Sequence, residues 1–96
     1  LETMAKANPT PENYLNLSLQ NYNAGDFQKC VDAANEALKL RPDYDLAYNN
    51  ICAAYNRLGD FEKAIKIGEK GLKINPNNQL LRGNLSEAYQ KKKLMK

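Results

Sequence analysis

The sequence predicts an all-α fold: a stack of antiparallel helix pairs with about five helices. Three observations carry this. The chain repeats itself at a shift of 34 residues, its apolar residues recur with helical spacing, and each repeat is split by the same Gly-Asp-Phe stretch. Residues 11–44 and 45–78 share nine identical positions at that shift, among them Tyr14/Tyr48, Asn16/Asn50, Gly25/Gly59, Asp26/Asp60, Phe27/Phe61 and Pro42/Pro76. The shift continues into 79–93, where Asn84 follows Asn50 and Tyr89 follows Tyr55. Two full repeats and the front half of a third fill most of the chain. A period of this length marks a tandem array, because each unit is one supersecondary element that cannot bury its apolar face alone.

The elements follow in order. In the front half of a repeat, Tyr14, Leu17 and Ser18, then Tyr48, Ile51, Cys52 and Tyr55, fall at offsets of zero, three, four and seven. That is one face of an α-helix. The back halves carry Phe27, Cys30, Val31, Ala34, Ala37 and Leu38, matched by Phe61, Ala64, Ile65, Gly68, Gly71 and Leu72. Gly25 and Gly59 suit the left-handed position that ends a helix, and Asp26 and Asp60 suit the N-cap of the next. Pro42 and Pro76 end the second helices, since proline cannot continue the hydrogen-bond ladder. Five helices result: 11–24, 27–40, 45–58, 61–74 and 79–93. The domain organisation reads as 1–10, a leader or the remnant of a preceding helix; 11–93, a single repeat domain (11–44, 45–78 and the partial 79–93); and 94–96, a tail. The chain opens on Leu1 rather than Met, and we read it as cut from something longer.

Composition excludes several functions. The chain has 96 residues, 14 Lys+Arg, 11 Asp+Glu and no His. Four of the lysines, Lys91, Lys92, Lys93 and Lys96, lie in the last six residues; the remaining 10 basic and 11 acidic side chains leave a net charge of −1. A phosphate-tracking footprint is absent from the body, so nucleic acid is not an expected partner. No apolar run reaches the roughly 18 residues that span a bilayer, so no membrane insertion by this segment is expected. Without His there is no Ser–His or Cys–His nucleophile pair, and two cysteines 22 residues apart cannot build a four-cysteine zinc site. We expect no catalytic residue, no metal site and no cofactor. Cys30, Cys52, Ala64 and Ser18 read as small residues that let paired helices approach; unpaired cysteines fit a cytosol. Two glycosylation sequons, beginning at Asn16 and Asn84, fall inside helices and recur because the repeat does.

The pattern resembles the tetratricopeptide repeat (TPR) family. The period matches, as do the aromatic at Tyr14 and Tyr48, the large apolar at Leu17 and Ile51, and the small residue at Ser18 and Cys52. Tyr55, the small residue at Cys30 and Ala64, Ala37 or Gly71, and Pro42 or Pro76 complete it. Departures are Asn21 in place of Tyr55, Gly68 in place of a larger residue, and Arg82 in place of the helix-opening aromatic. The resemblance implies a right-handed α-solenoid whose first helices line a concave groove. It also implies a non-catalytic module that binds a peptide segment of a protein partner there. The groove residues implied are Asn16, Asn49, Asn50, Asn56, Arg57, Asn84, Glu87 and Lys91. Asn16, Asn50 and Asn84 occupy one repeat position and look like the asparagine ladder of the O-GlcNAc transferase superhelix. The alternative is that they bond within their own scaffold. A chaperone-tail carboxylate clamp is matched only at Asn50, with Leu15, Leu19, Leu80 and Asn84 at its other positions. Leu15, Leu19 and Tyr22 form a second apolar stripe, suited to a preceding repeat, to residues 1–8, or to a second copy of the chain. The alternative function is structural: a terminal segment of a longer repeat array in a multidomain parent, or a self-association module.

Overall fold

The computed structural model describes residues 2–95, with the side chains of 2–4 left aside. Leu1 and Lys96, the ends of the expected leader and tail, lie outside the described residues. All regular structure is helical: α1 (Glu2–Ala7), α2 (Pro11–Asn23), α3 (Phe27–Leu40), α4 (Asp45–Leu58), α5 (Phe61–Ile74) and α6 (Gln79–Leu94). The five predicted helices become six. The addition, α1, packs on α2 and buries Ala5. Six residues span fewer than two turns, too few for a 3.6-residue period to register in the sequence.

The turns follow from residue chemistry. Gly25 and Gly59 sit at φ +83° and +81°, where a Cβ would clash with the backbone. The Asp60 carboxylate caps α5 by accepting from the Lys63 backbone N–H at 3.2 Å. Asp26 occupies the same position before α3 but makes no capping bond, so the expected pair of caps holds only in the second repeat. Thr10 caps α2 through the Asn13 N–H, ahead of Pro11 at the first helical turn, and Asn78 caps α6 through the Leu81 N–H.

Helices pack in sequence order, α2 on α3, α3 on α4, α4 on α5 and α5 on α6, with α2 and α6 also touching α4. The body measures 45 × 26 × 17 Å, as a stack rather than a sphere would. Two core clusters lie along it. The first joins Cys30, Val31, Ala34, Ala37, Tyr44, Ala47, Ile51 and Ala54. The second joins Tyr48, Cys52, Ala64, Leu81 and Ala88. Ser18, Cys30, Cys52 and Ala64 are fully buried, in the close-approach role their size suggests. One bond repeats with the period: Ser18 Oγ donates to the Cys30 carbonyl at 2.9 Å, and Cys52 Sγ to the Ala64 carbonyl at 3.3 Å. Burial pushes the Cys52 thiol up to about 12, with a smaller push from the Glu87 charge. Burial also raises Cys30 against the Ser18 hydrogen bond. Neither thiol is poised as a nucleophile.

Asp45 ties the start of the second repeat to its end, where the chain enters α6. At the start of α4 its Oδ2 accepts from Asn75 Nδ2 at 2.9 Å and from Asn78 Nδ2 at 2.8 Å. Burial opposes its ionisation, but the two amide bonds and the backbone N–H groups of Asp45 and Leu46 outweigh that and lower its pKa. A depressed folded-state pKa stabilises fully above the unfolded value, near about pH 4, and that stabilisation is lost as pH falls through the folded value. Thermal melts across the acid range should therefore fall more steeply for the unaltered chain than for Asp45→Asn. Parallel acid limbs would show that the carboxylate contributes nothing.

Candidate functional site: the cleft between the first helices

Helices α2, α4 and α6 lie side by side as the first members of successive pairs. Between them is a cleft of about 190 Å³ lined by Leu19, Tyr22, Asn49, Asn50, Ala53 and Asn84. Helical spacing explains the membership: Ala53 lies one turn beyond the adjacent Asn49 and Asn50 on α4, on a different face from Ile51 and Ala54 in the core.

The asparagines are held at defined angles. Asn84 Nδ2 donates to Asn49 Oδ1 at 2.7 Å, linking α6 to α4. Asn50 Nδ2 donates to Ser18 Oγ at 3.3 Å, linking α4 to α2. Asn56 is buried; its Nδ2 donates to the Asn84 carbonyl at 2.9 Å, and its Oδ1 has no partner. Arg57 Nε donates to the Tyr22 hydroxyl at 3.1 Å, and this bond raises the guanidinium pKa further above its ordinary value. Glu87 and Lys91 form an exposed pair at 3.3 Å one turn apart on α6.

Of the predicted groove residues, three line the cleft: Asn49, Asn50 and Asn84. Asn56 and Arg57 flank it through their bonds to Asn84 and Tyr22. Asn16 is exposed and outside the cleft, so the three repeat-equivalent asparagines do not share one setting. Leu19 and Ala53 lie on the same non-core stripes of the first and third helices as the predicted residues but are not among them, and Tyr22 falls outside the predicted groove stripe. The signal was present in Leu19 and Tyr22, which stood out as a second apolar stripe with Leu15. The stripe divides in the structure. Leu15 and Tyr22 pack against the first core, Tyr22 edge-on to Phe27 with ring centroids 5.4 Å apart, and Leu19 remains 49% exposed beside the asparagines. The site is thus an apolar ledge faced by amides.

A stack of α-hairpins packed in sequence order, with their first helices side by side, defines the class, a helical-repeat solenoid. Residues 46–78 match the family model described as tetratricopeptide repeat. Residues 46–78 thus form one tetratricopeptide repeat. Among solved structures, the crystal structure of MamA has the same fold, with a TM-score of 0.70 at 22% sequence identity. That match covers 88% of this chain and 60% of the MamA chain, so this chain spans less than two thirds of that one. No curated protein sequence matches. Protein–protein interaction is the general role of TPR domains, and such repeats are typically non-catalytic. Among the described residues, no cluster of three or more metal-ligating side chains occurs, and no helix is long and apolar enough to cross a membrane.

Proposed function

We propose that the chain is an interaction module that captures an extended segment of a partner protein along α2, α4 and α6. The Asn49–Asn84 and Asn50–Ser18 bonds carry this reading. Each uses one amide hydrogen of the donor, leaving Asn50 and Asn84 a second N–H and an oxygen for a peptide backbone. Holding both amides in place in the free protein lowers the ordering cost of binding. Leu19, Tyr22 and Ala53 supply apolar contact beside them, while Arg57 and Lys91 bias the rim toward acidic segments. Asn16 is the peripheral member of the set, and Glu87 positions Lys91.

Peptides selected from a random twelve-residue display library against the full chain provide the probe. Calorimetric titration should show affinity falling by about tenfold to thirtyfold in Asn50→Ala/Asn84→Ala, about one hydrogen bond's contribution for each. Unchanged affinity, with an unaltered thermal melt, would remove these residues from the site.

A further inference from the structure

The cleft between the first helices owes its shape to two repeat positions that break the repeat. Leu19, Ala53 and Glu87 are equivalent at the 34-residue shift, on α2, α4 and α6. The side chain is large in the first, ends at Cβ in the second and is charged in the third. Ala53 is therefore the shortest side chain in the lining, with the exposed Leu19 beside it on α2. Tyr22, Asn56 and Gln90 are likewise equivalent. Tyr22 lines the cleft, whereas Asn56 is buried and bonded to the Asn84 carbonyl of α6. An apolar socket results, with Leu19, Tyr22 and Ala53 on the α2–α4 side and amides around the rest. The helices flanking α4 on this face, α2 and α6, are both in place.

The socket has the size of one side chain. Its volume is about 190 Å³. Pockets for whole small-molecule ligands run to roughly 300–1,000 Å³, and a cavity of about 150 Å³ already holds a benzene ring. A cation stands at its edge. Arg57 lies one turn beyond Ala53 on α4, and its bond to the Tyr22 hydroxyl holds the guanidinium beside the Tyr22 wall. Arg57 is exposed and forms no ion pair among the described residues. Its terminal nitrogens are left for a carboxylate. Four helical residues rise about 6 Å, the length of about two residues of extended chain.

We infer that the socket takes one bulky apolar side chain, of the size of leucine or phenylalanine, from an extended partner segment that carries an Asp or Glu about two residues away to pair with Arg57. The inference rests on the peptide-capture reading above and specifies the kind of segment selected. Leu19, Tyr22 and Ala53 enclose the anchor, Asn50 and Asn84 hold the backbone beside it, and Arg57 selects the charge.

The test starts from the twelve-residue library selected on the full chain. Enriched peptides should share a bulky apolar residue with Asp or Glu about two positions away. They are synthesised with amidated ends, so that only side-chain carboxylates contribute. In calorimetric titrations, changing the peptide's anchor to Ala should cost at least about tenfold in affinity, as for buried interface anchors. Ala53→Leu, which fills the socket from the other side, should cost a similar factor, and the two changes together little more than either. Arg57→Gln should weaken the acidic peptide by about threefold to fivefold, less at raised salt, and leave a peptide with the acid changed to its amide unaffected. Ala53 and Arg57 belong to neither core cluster, so thermal melts should not move. Full affinity in Ala53→Leu, with binding still weakened by Asn50→Ala/Asn84→Ala, would overturn the socket and leave the amide contacts standing. Indifference to both changes, or a selection that yields no binder, would overturn the two together. An acid preference that survives Arg57→Gln would overturn the pairing.

Discussion

Leu81→Ala is expected to destabilise the chain by about 2–5 kcal/mol, the range for emptying a buried leucine site. Leu81 is fully buried and belongs to the second core cluster, with Tyr48, Cys52, Ala64 and Ala88. That cluster is mostly small side chains, and Leu81 is the largest aliphatic group in it. Nothing nearby can swell to fill the gap: Gly71 has no side chain, and Ala64 and Ala88 end at Cβ. A domain of this size has a total stability of roughly 5–15 kcal/mol. The melting temperature should fall by more than about 8 °C, measured by circular dichroism. A drop smaller than that would mean that α6 is held by its surface bonds rather than by this contact.

Gly71→Ala should destabilise despite improving helix propensity. In an open helix, alanine in place of glycine gains about 0.5–1 kcal/mol. A Cβ on Gly71 would stand 2.8 Å from Tyr48 Cβ and run into Leu81 Cδ2. Leu81 can turn its end away, but Tyr48 Cβ is fixed to its backbone, so overpacking of about 1–3 kcal/mol should prevail. Gly83→Ala supplies the contrast: nothing lies within 4 Å of its Cβ, and the variant should be stabilised. The repeat suggests a sharper measurement. Ala37 and Ala47 of the first core correspond to Gly71 and Leu81, so one repeat has two small residues where the next has an absent and a large one. Gly71→Ala/Leu81→Ala restores the first arrangement and should lose less stability than the two single changes combined, by about 0.5–3 kcal/mol. Strict additivity in denaturant melts would show that the two positions do not share a packing site.

Most of the helical framework was legible because it depends on local chemistry that recurs. The four residue types that end or start a helix, glycine, aspartate, phenylalanine and proline, sit at the same repeat positions. The apolar spacing between them selects one periodicity. The second and third predicted helices after Gly25 and Pro42 begin and end where α3 and α4 do. What was not legible required a neighbour. Gly68 read as a departure from a larger residue; its absent Cβ makes room for Leu85 Cδ1, 2.9 Å from where that atom would be, and for Cys52 Sγ at 3.3 Å. Asp45 gave no local hint of its role, since its partners Asn75 and Asn78 are 30 and 33 residues away.

The groove shows the same division. That α2, α4 and α6 present amides followed from the period, because equivalent positions on equivalent helices face alike. Which amides meet did not follow. Asn50 reaches Ser18, Asn84 reaches Asn49, and Asn16 reaches neither, although the three share a repeat position. The sequence by itself determined the tandem α-hairpins, their turns and the small residues at their close approaches, since each rests on interactions within a few residues or on a period that repeats them. Only the tertiary structure decided the size exchange at Gly71 and Leu81, the division of the Leu15, Leu19 and Tyr22 stripe, and the socket between Leu19, Tyr22 and Ala53. Those depend on which side chains from separate helices arrive at one point, and distance along the chain does not encode that.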